Sequence, residues 1–265
     1  MLKINKVRKP QAPFFVILDY LWSGFATLGI CSGFVALWQL GSMTFSEFML
    51  PSPLVVFKLA AELLSQFTFN QLDISLKRAL IGVISSLVLG LTCGMIAGSF
   101  KTVMALLKPM ITILLAMPPI IWIVMALFWF GFGDVSVLFT IIIIIAPLTF
   151  ASAAIAVSSV DQHAIELFDV YKLNLYKKIR YLYLPHFTPY IISSVNIAVA
   201  TGARVVIMAE LLGASDGIGS RIADARAMLE TSTVMAYVCL VILFVALFEY
   251  FITKPLEILF MPWRR

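Results

Sequence analysis

The chain has 265 residues, 62% of them hydrophobic and 12% charged, with a formal net charge of +5. Soluble domains carry about 25% charged residues, so the composition excludes an ordinary soluble globular protein and makes lipid or buried protein the solvent for most of the chain. Cys31, Cys93 and Cys239 stand singly in apolar stretches, and two histidines, His163 and His186, are too few for a histidine-based metal centre.

A membrane helix needs about 20 mostly apolar residues. The basic first 13 residues lead into a long apolar stretch with no small-residue cleavage pattern, which reads as a first membrane helix and not as a cleavable signal. Stretches without Asp, Glu, Lys or Arg run over 20–46, 79–100, 109–133, 135–160, 181–203 and 231–248, with the fifth expected to continue past Arg204 toward Leu212. They predict an all-α integral membrane protein with six transmembrane helices. Its parts are a tail at 1–18, a six-helix domain at 19–255 containing a projecting element at 161–184, and a tail at 256–265.

Cationic side chains orient such a chain, because Lys and Arg concentrate on the cytoplasmic side. With the N-terminus inside, the inner segments hold Lys3, Lys6, Arg8, Lys9, Lys101, Lys108, Lys172, Lys177, Lys178, Arg180, Lys254, Arg264 and Arg265. Lys58, Lys77, Arg78, Arg204, Arg221 and Arg226 remain for the outer side. Both termini are therefore expected to be cytoplasmic, and the positive charge reads as a topology signal with no need of nucleic acid.

Between the first two spans, Leu50-Pro51-Ser52-Pro53 is a turn, since a residue before proline is pushed to extended backbone. Apolar positions at helical spacing over 54–67, with Lys58 and Glu62 at i, i+4, predict a short helix at the outer membrane surface. Gly90, Gly94 and Gly98 place small residues where two helix backbones can approach closely. Met117-Pro118-Pro119 interrupts the third span, and such breaks are tolerated where freed backbone groups face protein or a water-filled cavity.

The segment 159–185 carries the inner face's most patterned charge. Ser159 or Asp161 can cap a helix, Glu166 and Asp169 lie early, and Lys177, Lys178 and Arg180 lie late, each on the side the helix dipole favours. Asn174 suggests a break between two shorter helices, and Leu184-Pro185 is expected to end the unit.

The pattern Glu166-x5-Lys172-x11-Leu184-Pro185 resembles the cytoplasmic loop of ABC importer permeases, with Glu-Ala-Ala, then Gly, then Leu-Pro. Here Leu167 and Phe168 replace the alanines and Lys172 the glycine. A lysine there is expected to use a different backbone conformation from the tight turn a glycine permits. Other segments match the nitrate, sulfonate, taurine and bicarbonate branch in order: Leu50-Pro51-Ser52-Pro53, Ser75 to Gly82, Met117-Pro118-Pro119, Trp129 to Gly133, and Ala209-Glu210 to Gly217-Ile218-Gly219.

The resemblance implies a type I importer permease (MetI-like) bundle in the bacterial cytoplasmic membrane. It implies a second permease copy or paralogue, two ATPase subunits that bind ATP and Mg, and an extracytoplasmic binding protein that delivers a small solute, anionic or sulfonate-like. No Walker A pattern occurs in this chain, so the chain itself is expected to be a transport subunit with no cofactor of its own. Glu166, Asp169, Tyr171, Lys172 and Leu173 are the expected ATPase-coupling residues. Pro118, Pro119, Asn196, Thr201 and Arg204 are the expected substrate pathway. Glu210 is expected to be a structural partner to another helix or to snorkel to the outer interface, and not to pair with Arg204, from which it is six residues distant. The rival reading is a secondary transporter or channel working without an ATPase, which would carry internal repeats and charges at mid-span.

Overall fold

A computed structural model describes residues 13–65 and 71–248, so the tail at 256–265 and most of 1–18 lie outside the described residues. The described elements are all helical. The chain divides into two units, Met1–Lys58 and Leu59–Arg265.

The first unit contains α1, Pro13–Thr44, and the start of α2, Pro53–Ser65. The predicted turn stands between them. Trp38 Nε1 donates to Pro51 O at 3.0 Å, and the Trp38 ring meets Phe57 edge-on at 5.9 Å. Pro53 opens α2 at the position where a missing N–H costs no hydrogen bond.

The second unit is organised around three long helices: α3 (Leu72–Ser99), α6 (Asp134–Ser158) and α9 (Leu184–Gly213). Between them lie α4 (Lys101–Ala116), α5 (Pro119–Phe130), α7 (Gln162–Val170) and α8 (Leu175–Lys178). Helices α10 (Ile218–Ala227) and α11 (Thr231–Phe248) follow.

Three helices among the described residues are long and apolar enough to cross a membrane, or four if the bent pair α4–α5 is one span. Helices α1 and α11 cover the first and last expected stretches. The third span departs from expectation. It starts at Lys101, not 109, and turns through 99° where a kink was foreseen. Met117 and Pro118, each before a proline, are both extended (ψ 131° and 139°), and two extended residues in succession redirect the chain.

Helix α3 packs on α6 along a stripe of small residues. Gly82 lies on Ile141, Gly90 on Thr149 and Ala146 O, Gly94 on Phe150 and Ala153, and Gly98 on Val157. A Cβ at Gly94 would sit 2.5 Å from Phe150 O. Ser86 completes the stripe, and Thr149 Oγ1 donates to its carbonyl at 3.3 Å. Contacts advance together along both helices, so α3 and α6 run parallel. Helix α9 runs the other way, with Gly202 against Val83 and Ile145, and Gly213 against Leu127. Lipid gives helices no hydrophobic reason to associate, so this close backbone fit and the buried polar bonds hold the bundle. Val83, Ile123, Val137, Ile141, Ile145, Ala198, Val205 and Val206 fill the space between the helices.

Candidate functional site

Three regions carry side chains that apolar packing does not explain. At one end of the bundle, all five N–H donors of the Arg78 guanidinium are used. Nε donates to Asp134 Oδ1 at 2.7 Å, and Nη2 donates to the same oxygen. Nη2 also reaches Asp216 Oδ1 at 2.6 Å. Nη1 donates to Glu210 Oε1 at 3.0 Å and to Asp216 O at 2.9 Å.

Glu210 is fully buried, at 0% exposure, and Arg78 is 4% exposed. The other Glu210 oxygen, Oε2, accepts from Ser75 Oγ at 2.6 Å and Gly219 N–H at 3.1 Å. Ser75 Oγ in turn accepts from Ile218 N–H at 2.8 Å. Gln71 Oε1 accepts from Gly217 N–H at 2.6 Å, and Gly213 O accepts from Gly133 N–H at 2.9 Å. One knot thus joins α3, α6, α9, α10 and two connecting turns.

It also explains the glycines of the Gly217-Ile218-Gly219 element. Gly217 has φ 97° and lies against the Glu210 carboxyl group, while a Cβ at Gly219 would sit 2.5 Å from Glu210 Cβ. Glu210 is therefore the structural partner that was expected, and its cation is Arg78. Arg78, Asp134, Asp216 and Ser75 were not foreseen as a site. The signal for Ser75, Arg78 and Asp216 was available in the separate resemblances of 75–82 and 209–219, and Asp134 directly follows the segment 129–133.

The opposite end carries the projecting element. Asp161 Oδ1 accepts from His163 N–H at 3.0 Å and caps α7. Helix α7 closes with Leu173 N–H donating to Phe168 O at 3.1 Å and Lys172 N–H to Asp169 O at 2.9 Å. This is a Schellman closure, which needs a left-handed residue after the helix. Lys172 supplies it, at φ 49°. The expectation of a different backbone is thus corrected: the lysine adopts the conformation a glycine would, at a cost of roughly 1 kcal/mol.

Asn174 O accepts from Lys177 and Lys178 N–H and starts α8, as the predicted break requires. Leu184-Pro185 does not end the unit. The helix runs on from Tyr176 through a π-turn, Ile179–Tyr183, into α9 without a break, and Pro185 lies within it. Glu166, Tyr171 and Lys172 are exposed and Leu173 is half-buried. Asp169 pairs with Lys178 and so ties α7 to α8.

The third region is α9 itself. Ser193, Ile197, Arg204 and Met208 recur at helical spacing on one exposed face, and Asn196 and Thr201 flank it, half-buried. Arg204 lies roughly 14 Å along the helix from Gly213 and makes no ion pair among the described residues. Pro118 and Pro119 are exposed at the α4–α5 bend. A small cleft of about 50 Å³ opens between α3, α9, α10 and α11, lined by Ser75, Ala79, Ala203, Val206 and Val241 among others.

The described residues form an all-helical, largely apolar bundle with a sharply bent helix pair and a capped, projecting helical element. Residues 86–253 match the family described as binding-protein-dependent transport system inner membrane component, and the chain belongs to it.

The chain is 28% identical to SsuC of Bacillus subtilis (strain 168), a permease protein named for aliphatic sulfonates transport, over 87% of this chain and 84% of that one. It is 26% identical to the taurine transport system permease protein TauC of Escherichia coli (strain K12), over 74% and 70%. It is 28% identical to the nitrate import permease protein NrtB of Synechococcus elongatus, over 83% and 78%.

The protein is a membrane-embedded permease subunit of an ABC importer, a transport component and not an enzyme, in a family that works with ATPase and substrate-binding partners. These relatives give no support to the rival reading of a transporter or channel working without an ATPase.

Proposed function

We propose that this subunit lies in the bacterial cytoplasmic membrane with both termini inside, paired with a second permease copy or paralogue. Two ATPase subunits, binding ATP and Mg, dock on the elements at 161–184 through Glu166, Tyr171, Lys172 and Leu173. Asp169 holds the docking surface in shape through its pair with Lys178. A binding protein delivers a small anionic solute at the other end. ATP-driven movement of 161–184 switches the paired bundles between two packings, the alternating access of a bistable helix assembly. The broken segment at Pro118 and Pro119 lies beside the pathway.

One observation supports the anionic solute: Arg204 stands exposed on α9, well inside the helix and without an acidic partner among the described residues. An arginine facing hydrocarbon is costly, so such a residue faces water or protein. On a face flanked by Asn196 and Thr201 it forms a cationic wall for the solute. Arg204→Ala, reconstituted in proteoliposomes with the ATPase and binding protein, is expected to lower uptake of nitrate or ethanesulfonate while nucleotide-dependent assembly persists. Unchanged uptake of the transported anion would remove Arg204 from the pathway.

A further inference from the structure

The element at 161–184 leaves α6 and returns to α9, and its two ends meet. Ser159, just after α6, and His186, in the first turn of α9, are 27 positions apart in sequence, and Ser159 Oγ lies 3.2 Å from His186 Nε2. Ser159 Oγ also lies 3.0 Å from Tyr190 Oη. Two of these groups converge on Ala156 O, which accepts from Ser159 Oγ at 3.2 Å and lies 3.1 Å from His186 Nε2.

A carbonyl only accepts, so one set of directions satisfies every contact: His186 with its proton on Nε2 donates, Ser159 gives its proton to Ala156 O, and Tyr190 donates to Ser159. Ala156 is in the last turn of α6, where carbonyls have no intrahelical partner. The returning helix thus caps the departing one. The π-turn at Ile179–Tyr183 precedes α9, and the His186 ring packs tilted against Tyr190 at 5.6 Å and edge-on against Phe187 at 5.8 Å.

We propose that His186, with Ser159 and Tyr190, is a positioning cluster that staples the base of the coupling element, so that a push on 161–184 moves α6 and α9 together and does not spread them apart. This rests on the proposed docking role of 161–184. The staple touches neither ATPase nor solute. Its loss leaves the docking surface in place and makes the transmitted motion slack. The expected signature is uncoupling: ATP is hydrolysed, and less solute moves per ATP.

The test uses the whole importer in proteoliposomes, with nitrate and ethanesulfonate as probes, and records solute moved per ATP hydrolysed together with the ATPase co-purified per permease. His186→Ala is expected to lower the ratio about fivefold, the size of one well-placed hydrogen bond, with co-purified ATPase unchanged. Ser159→Ala is expected to lower it less, in the same direction. His186→Gln, which can place an N–H donor near the position of Nε2, is expected to restore most of it.

A wild-type ratio in His186→Ala overturns the staple, and so does failure of His186→Gln to recover. Loss of co-purified ATPase in the mild Ser159→Ala variant overturns it too, since the cluster would then serve only to fold the docking element. The docking role itself is read separately from Tyr171→Arg. If ATPase stays bound and coupled in that variant, the docking reading fails, whatever His186 does.

Discussion

The two ends of the bundle are built on opposite plans. At the Arg78 end, five donors and three carboxylates interlock across four helices, and the central pair is buried almost completely. At the 161–184 end, the charges are exposed, the helices are short, and one backbone position holds a strained lysine. The first arrangement resists relative movement of α3, α6 and α9, because any slip would strand a buried charge. The second has little to lose by moving as a unit. If 161–184 receives motion as proposed, this asymmetry lets one end move while the other keeps its helices in register.

The sharpest way to break the comparison is Arg78→Met. It leaves Glu210 buried and uncompensated, and the expected loss is about 3–5 kcal/mol. Thermal melting of the detergent-solubilised complex should show a steep fall, and an unchanged melt would mean the knot is not what holds that end. Glu210→Gln keeps the shape but turns an amide toward at least one N–H or O–H donor, for an expected loss of about 1–3 kcal/mol in the same melt.

Gly94→Ala tests the contact between the two ends. The added methyl group meets Phe150 O and Ala153, and overpacking of this kind costs about 1–3 kcal/mol. Gly29→Ala, with open space around it, is the matched control and should melt no lower than the parent. The smallest effect belongs to Lys172→Gly, which relieves the left-handed strain. Hydrogen exchange should show the amides of α7 protected more strongly, by about 1 kcal/mol. Lys172→Val should move them the other way, and no response to either change would mean the turn is held from outside.

The membrane class, the approximate place of most helices and the cap of the element at 161–184 were legible because each rests on local pattern: uncharged length, charge placement along a short helix, and a cap. Asp161 and Asn174 did what their positions suggested. Arg78 and Glu210 were legible only as charges near span ends. They are 132 residues apart, and no local spacing announces which buried cation serves which buried anion. The same limit hid His186, whose partners lie on the far side of the projecting element. The break at Pro118 was visible but its 99° size was not, since composition does not say whether two extended residues bend a helix or redirect it.

The parallel run of α3 and α6 has a further electrostatic consequence. It brings the amino ends of both helices, and that of α10, to the Arg78 knot. Each helix start carries roughly half a positive charge in its aligned peptide dipoles. Three carboxylates around one guanidinium leave an excess of negative charge, and three converging helix starts offset part of it, against the opposing carboxyl end of α9. The direction in which the chain threads the bundle thus helps make so acidic a cluster tolerable beside lipid.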